Sequence, residues 1–330
     1  MNMFKGIKSI LITGGCGFIG TSLVKSIKQL SSDIKISILD NLVTGSLDDL
    51  AQVTDYYIYG EANPLADDLV CFINGDIRDF SKCLNAAKQV DCIIHLAANT
   101  GVGPSVDDPR LDMECNVVGT FNALEAARIN GVKRFIFASS GAPAGEVVPP
   151  IHEELPPHPV SPYGASKLAG EGYSSAYYRS FGIDTVCLRF GNVYGPRSKK
   201  KSSVVAKFIR QALQGEPCVI YGDGTQTRDF LYIDDLVRAV ILAIDKPVSG
   251  ETFQIATGME RTVGEVATII AEALGRRGIA MRIDHDSPRL GDVMRNYSDT
   301  SKAARMLGWK TDVEVPEGIE RTLDWFLAQK

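Results

Sequence analysis

The glycines of Thr13-Gly14-Gly15-Cys16-Gly17-Phe18-Ile19-Gly20 constrain this chain more than any other feature. They follow a short apolar run, Ser9 to Thr13, that reads as a buried strand. They open an amphipathic segment, Gly17 to Leu30, that reads as a helix. Gly15, Gly17 and Gly20 satisfy G-x-G-x-x-G, and Gly14, Gly17 and Gly20 satisfy G-x-x-G-x-x-G. Glycines at these places let the backbone turn tightly and approach a pyrophosphate resting on the helix N-terminus. Strand, glycine loop and helix in that order predict a βαβ unit that binds a dinucleotide.

Beyond this opening, apolar runs and amphipathic segments alternate. Ile34 to Asp40, Leu69 to Asn74, Cys92 to Ala97, Arg134 to Ser139 and Thr185 to Phe190 are rich in Ile, Val and Phe and read as strands. Asp107 to Asn130 and Ser161 to Phe181 read as helices between them. Strands of continuous rather than alternating hydrophobicity are covered on both faces, as in a parallel sheet. The expected fold is α/β: a Rossmann-type doubly wound parallel sheet with a smaller interleaved substrate-binding lobe.

After about Phe190 helical segments dominate: Ser203 to Gln214, Asp234 to Asp245, Val263 to Leu274 and Glu317 to Leu327, joined by short strands such as Val219 to Tyr221. The expected division is a dinucleotide-binding domain of residues 1–190 plus about 231–256, and a lobe of about 191–230 and 257–330. Asp55 to Asp68, polar and Tyr-rich without a period, reads as a loop, and Lys199 to Lys201 as a solvated one.

Composition excludes several classes. A net charge of -5 argues against nucleic acid or an anionic membrane as the main partner. The seven cysteines are an odd number and include no C-x-x-C pair, which disfavours a disulfide framework or a zinc ribbon. No apolar run is long enough to span a bilayer, and Met1 to Ile10 lacks the features of a signal peptide. The expected location is the cytoplasm, with no metal.

Asp40 ends the second strand, and a carboxylate there accepts hydrogen bonds from ribose hydroxyls and repels a 2′-phosphate, favouring NAD over NADP. Its alternative role is to cap the turn Asp40-Asn41-Leu42. Asp76 and Leu96-Ala97-Ala98 fall at the ends of the third and fourth strands, where small residues let a dinucleotide pass close. His95 reads as a core histidine.

Tyr163-Gly164-Ala165-Ser166-Lys167 carries the chemistry. Tyr163 and Lys167 stand one helical turn apart on one face. A nearby ammonium stabilises a phenolate and so lowers a tyrosine pKa from its usual value of about 10. Ser139 and Ser140 end the fifth strand, where a hydroxyl can share a proton with Tyr163 and a substrate. A strand-end serine and Tyr-x-x-x-Lys behind a glycine-rich loop resemble the short-chain dehydrogenase/reductase family. Asp40-Asn41-Leu42-Val43-Thr44-Gly45, Gly75-Asp76-Ile77-Arg78-Asp79, His95-Leu96-Ala97-Ala98, Asn116-Val117-Val118-Gly119-Thr120, Leu188-Arg189-Phe190-Gly191-Asn192 and Arg228-Asp229-Phe230 extend the resemblance over nearly the whole chain, toward the extended branch of NAD-dependent epimerases and dehydratases.

The resemblance implies NAD as cofactor, held by Gly14, Gly17, Phe18, Ile19, Gly20, Asp40, Asn41, Thr44, Gly45, Asp76, Ile77, Leu96, Ala97, Ala98, Thr100, Asn116, Tyr163, Lys167 and Phe190. It implies Tyr163 as base, Lys167 on the nicotinamide ribose and Ser140 orienting a sugar hydroxyl. It implies a UDP-sugar substrate met by Ser140, Tyr163, Asn192, Val204, Tyr221, Arg228, Arg289 and Asn296, and a homodimer formed through the helices of 107–130 and 161–181. Arginine forks suit phosphate oxygens, and Tyr221 suits a uracil face.

Dehydratases of this branch carry Asp-Glu just after the strand-end serine or threonine, and decarboxylating members a Glu. Ser139-Ser140-Gly141-Ala142-Pro143-Ala144-Gly145 has no acid, which favours 4-epimerisation through a 4-keto sugar. The alternatives are a 4,6-dehydratase, a 4-keto reductase, or a non-catalytic NAD-binding protein. Ala144 stands where relatives usually have Tyr, and Asn296 where a bulky Tyr restricts them to plain hexoses. Both point to a roomier pocket for an N-acetylated or uronic sugar, with Lys199 or Arg295 as the cation for a carboxylate.

Overall fold

The computed structural model describes residues 4–60, 69–288 and 293–329. β1 (Ser9–Thr13) is buried beyond its first residue, and Gly14 turns the chain out of it at a φ of 70°. A Cβ on Gly14 would stand 2.8 Å from the Ala97 amide nitrogen, so both the turn and the close approach need glycine. α1 (Phe18–Leu30) begins at Gly17 with no side-chain cap. A Cβ on Gly20 would lie 2.5 Å from Gly15 Cα, so this helix can sit on its own loop only without one.

Next come β2 (Lys35–Asp40), α2 (Leu47–Ala51), β3 (Tyr56–Ile58), β4 (Val70–Asn74), α3 (Phe80–Ala86), β5 (Cys92–His95), α4 (Val102–Asp107), α5 (Pro109–Met113), α6 (Gly119–Asn130), β6 (Arg134–Ser140), α7 (Pro162–Phe181) and β7 (Asp184–Phe190). The rest comprises β8 (Asn192–Tyr194), α8 (Val204–Gln214), β9 (Cys218–Tyr221), β10 (Thr227–Arg228), β11 (Phe230–Tyr232), α9 (Ile233–Asp245), β12 (Glu251–Ile255), β13 (Arg261–Thr262), α10 (Val263–Gly275), β14 (Ile283–Asp286), α11 (Ser301–Met306) and α12 (Val315–Ala328). The main sheet has eight strands in the order β12-β7-β6-β5-β1-β2-β4-β3. From β3 to β6 each ladder is parallel. β1 lies between β2 and β5, so the winding changes direction at its end, where α/β sheets of this type place ligands.

Two expectations need correction. The segment read as a loop contains β3, an edge strand paired with β4 in the register Tyr56↔Val70. It is too short and too evenly half-buried to leave a period in the sequence. Residues 61–68 of that segment lie outside the described residues. The single helix expected over 107–130 is instead broken. Asp108 caps a new start at Pro109, and a π turn over Glu114–Val118 closes with the Gly119 amide donating to the Glu114 carbonyl.

Two compact units divide the chain: Met1–Gly145 with Glu153–Arg189 and Val237–Phe253, and Glu146–His152 with Phe190–Leu236 and Gln254–Lys330. In the first, Leu11, Leu39, Ile93, Phe135 and Phe137 from the sheet pack with Ala123, Leu124 and Ala127 from α6. In the second, α10 packs on α12, and the buried Trp309 donates its indole N–H to the Asp235 carbonyl at 2.9 Å. Among the described residues no helix is long and apolar enough to cross a membrane.

Candidate active site

The first unit places the glycine loop at the ends of β1 and β2. Asp40 is 8% exposed, and burial raises its carboxyl pKa. Its Oδ2 accepts the Cys16 amide at 2.9 Å and its Oδ1 the Leu42 amide at 2.8 Å. Asp40 thus caps its own turn and also ties it to the glycine loop, and a carboxylate has further lone pairs for ribose hydroxyls. Leu42 is held at a φ of 60°, an unfavourable value for a non-glycine residue that the surrounding loop enforces. A Cβ on Gly45 would strike the Cys16 carbonyl at 2.3 Å, so the segment Asp40 to Gly45 lies against that loop.

Asp76, following β4, is held down to about 2 by Arg78, whose guanidinium donates at 3.0 and 2.7 Å, while Asn41 donates at 2.9 Å. Ile77 is buried beneath Gly119. Leu96 and Ala97 bond through their amides to the Thr13 carbonyl and hydroxyl at 3.1 and 3.2 Å, which aligns the end of β5 beside the loop. Phe18, Ile19 and Ala98 are half-buried, and Thr44 and Thr100 are exposed. Phe190 ends β7. An uncapped helix start, a cradle closed to any Cβ and an acceptor carboxylate beside it fit a dinucleotide.

His95 is the core residue expected. It bridges the Thr13 and Thr120 hydroxyls at 2.8 and 3.1 Å and stacks on Phe137. Burial pushes its pKa down to about 3, so it is neutral.

On the same sheet, β6 ends in Ser140, and α7 starts at Ser161, whose hydroxyl accepts the Gly164 amide at 3.1 Å. Pro162 supplies the first helical residue, where its missing N–H costs nothing. The Ser140 hydroxyl is near enough to the Tyr163 phenol to favour its ionised form. Lys167 is 4% exposed, donates to the Ala138 carbonyl at 2.9 Å and lies 5.8 Å from the Tyr163 ring centre.

The expected lowering of the Tyr163 pKa by Lys167 does not hold in the protein alone. Burial pushes Tyr163 up to about 12, against the opposing influence of the Ser140 hydroxyl. Burial also brings Lys167 down to about 8, and its ammonium is turned to a carbonyl.

The sequence reading missed the surroundings of this group. Glu171, a further turn along the face of α7 that carries Tyr163 and Lys167, forms a buried bidentate pair with Arg189 at 2.8 and 2.7 Å, and the Ser139 hydroxyl donates to it at 2.6 Å. Asn116, on the π turn, donates to the Asn99 carbonyl, Asp112 Oδ1 and Ser166 Oγ at 2.9, 2.9 and 3.1 Å. The i, i+4 spacing of Asp112 and Asn116, and of Lys167 and Glu171, was the available signal.

In the second unit Asp229 organises the residues assigned to the nucleotide. Its Oδ1 accepts the Thr257 amide and hydroxyl, both at 2.6 Å, and its Oδ2 the Gly258 and Ser298 amides at 2.9 and 3.3 Å. Its carbonyl accepts the Asn192 amide at 2.8 Å. Arg228 donates to the Thr227 and Val293 carbonyls, both at 2.7 Å. The half-buried Asn296 donates its backbone N–H to the Thr227 hydroxyl at 3.2 Å. Val204 opens α8. Tyr221 lines a cavity of about 740 Å³ with Gln226, His285, Pro288 and Met294. Arg289 lies outside the described residues.

Three further expectations change. Lys201 is not a solvated residue: its ammonium turns inward to the Val193 carbonyl at 3.0 Å, and burial lowers its pKa to about 8, whereas Lys199 and Lys200 are exposed. Arg210 draws the loop in by donating to the Lys199 and Lys201 carbonyls. Arg295 is engaged in a bidentate pair with Glu260, both contacts at 2.7 Å, and so is not an open cation for a sugar carboxylate. Ala144 is 2% exposed, so the argument for a roomier pocket rests on Asn296.

Residues 10–256 match the NAD dependent epimerase/dehydratase family. The chain is 36% identical to a UDP-glucose 4-epimerase of Mycolicibacterium smegmatis over 96% of its own length and 97% of that protein. It is 31% identical to a dTDP-glucose 4,6-dehydratase of Escherichia coli, over 97% and 92% of the two chains. Its fold is similar, with a TM-score of 0.86 and 32% identity, to a UDP-N-acetylglucosamine 4-epimerase from Methanobrevibacter ruminantium M1 in complex with UDP-N-acetylmuramic acid, covering 98% and 99% of the chains.

Proposed function

Because this chain belongs to the NAD-dependent epimerase/dehydratase family, we propose that it interconverts the C4 epimers of a UDP-sugar. The observation that carries this reading is the meeting of Ser140, Tyr163 and Lys167 at a strand end whose continuation, Gly141 to Gly145, has no carboxylate. A 4,6-dehydratase must also move protons at C5 and C6. The short turn Ala142–Ala144 offers only methyl groups and a proline ring for that work.

Bound NAD would supply the hydride-accepting and hydride-donating chemistry needed at C4. The chain's own residues handle the proton. Tyr163 Oη removes it from the C4 hydroxyl and gives it back to the C4 oxygen once the 4-keto sugar has turned its other face to the cofactor. Ser140 holds that hydroxyl in line, and Lys167 holds the nicotinamide ribose. Because Tyr163 by itself resists ionisation, a cationic ring beside the phenol is needed to bring its pKa toward neutrality.

Asn192, Val204, Tyr221, Arg228 and Arg289 are the residues we assign to the UDP group. Asn296, much smaller than tyrosine, favours a substituted sugar, N-acetylated or uronic. We also propose a homodimer in the cytoplasm. Leu111, Met113, Val118 and Phe121 between α5 and α6, with Tyr173 and Phe181 on α7, are large, apolar and more than a third exposed, as a buried interface requires. The activity test is incubation with NAD and a panel of UDP-hexoses, UDP-N-acetylhexosamines and UDP-hexuronic acids, scoring formation of the C4 epimer.

A further inference from the structure

Residues 293–296 belong to no helix or strand, yet they build part of the site assigned to the nucleotide-sugar. The Val293 carbonyl accepts the Arg228 guanidinium at 2.7 Å, Met294 lines the cavity of about 740 Å³ with Tyr221, and Asn296 is the residue assigned to the sugar. A segment without regular structure takes its place from the groups its backbone and side chains are tied to.

The ties converge on Thr227 of β10 and on Glu260. The Thr227 amide donates to the Met294 carbonyl at 2.8 Å, and the Asn296 backbone N–H donates to the Thr227 hydroxyl at 3.2 Å. That hydroxyl donates in turn to Glu260 Oε1 at 2.8 Å. The same oxygen accepts Arg295 Nε at 2.7 Å, while Oε2 accepts Arg295 Nη2 at 2.7 Å. Glu260 immediately precedes β13, which runs antiparallel to β10 in the register Thr227↔Thr262. One carboxylate thus joins a strand residue to a residue of the segment.

The chemistry of the hydroxyl explains what the carboxylate adds. A threonine hydroxyl has a single proton, and giving it to Glu260 aims the lone pairs, so that one of them meets the Asn296 N–H. Thr227 is buried, which shields these bonds from water. Arg295 has 55% of its side chain exposed, and as an isolated ion pair it would contribute little. Its two-pronged contact uses both carboxylate oxygens and so fixes the rotation of the group that Thr227 donates to.

We propose that Glu260 is a positioning residue for substrate selection. Its carboxylate clamps residues 293–296 onto β10 through Thr227 and Arg295, and so sets the Arg228 fork and the place of Asn296. The role rests on assigning Arg228 and Asn296 to a UDP-sugar, and its test therefore has one arm without ligand and one with it.

The first arm follows amide hydrogen exchange of the peptide covering 293–298 in the parent, Glu260→Ala, Arg295→Met and the double variant. Exchange there should be about fivefold faster in Glu260→Ala, the upper worth of such a pair. The double variant should be no faster than Glu260→Ala, because the two side chains act as a unit. Unchanged exchange in Glu260→Ala, or effects that simply add, overturns the proposal. The second arm measures UDP binding by calorimetry and turnover of UDP-N-acetylglucosamine. Glu260→Ala should weaken UDP and raise KM by about fivefold with kcat preserved, which general loosening of the fold would not do. Glu260→Gln, which keeps an acceptor for Thr227, should recover part of the loss. UDP affinity and KM equal to the parent's, or a fall confined to kcat, overturns the proposal. A parent that binds no UDP defeats the assignment of the site instead, and the clamp is then decided by the exchange arm.

Discussion

The Ser140 hydroxyl, at the end of β6, favours ionisation of the Tyr163 phenol in the first turn of α7. In the mechanism above the two share the proton of the sugar hydroxyl. Tyr163→Phe keeps the ring and removes the acceptor. Its turnover should fall roughly 10²–10⁴-fold, the usual contribution of a general acid–base group, while NAD binding measured by calorimetry stays intact. Near-normal turnover would remove Tyr163 from the role of base.

Asp40 is the residue to which we assign cofactor choice. Both its oxygens anchor amides of the loop, so a 2′-phosphate would meet a buried carboxylate that cannot swing away. NAD should bind at least about tenfold more tightly than NADP, or about 1.4 kcal/mol. Comparable affinities, or tighter binding of NADP, would refute this account of the loop.

The titration of His95 contributes to the loss of stability in acid. Its pKa falls from an ordinary value near 6.5 to about 3 on burial. Between those values the unfolded chain binds the proton and the native chain does not, so stability rises with pH across that window. The contribution is complete above about pH 6.5 and is lost as pH falls toward 3. The urea midpoint of the parent should therefore drop more steeply on acidification than that of His95→Gln. Parallel slopes would show that His95 is not the group responsible.

Arg228 has carbonyl bonds that fix its fork. Replacing it with alanine should weaken UDP binding by roughly tenfold or more, the worth of one charged hydrogen bond. Unchanged affinity would take Arg228 out of the nucleotide site.

How much of this was legible in the sequence follows from how local each signal is. Gly14, Gly17 and Gly20, the apolar strands and the pair Tyr163/Lys167 announce themselves through spacing, because a period of 2 or 3.6 is a property of one segment. The same alternation implied a parallel, doubly wound sheet, but not the order of its strands around β1. Three-residue β3 left no period to read. The inward turn of Lys201 depends on Arg210, on a different element, and a charge run says nothing of such a partner. Nothing in their own segments marks Asp112 and Glu171 as buried, because their partners Asn116 and Arg189 are brought to them by the fold. The rise in the Tyr163 pKa is a burial effect, and the depth of a side chain is set by the whole fold.

The most direct measurement of the central claim is proton NMR of the nucleotide-sugar pool after incubation with NAD. UDP-N-acetylglucosamine, UDP-glucuronic acid and UDP-glucose are followed separately, with the parent chain and with Asn296→Tyr. The account predicts a mixture of C4 epimers, faster for a substituted sugar than for UDP-glucose, with that preference lost in Asn296→Tyr. A 4-keto-6-deoxy product, or no exchange at C4 with any of the three, would contradict it.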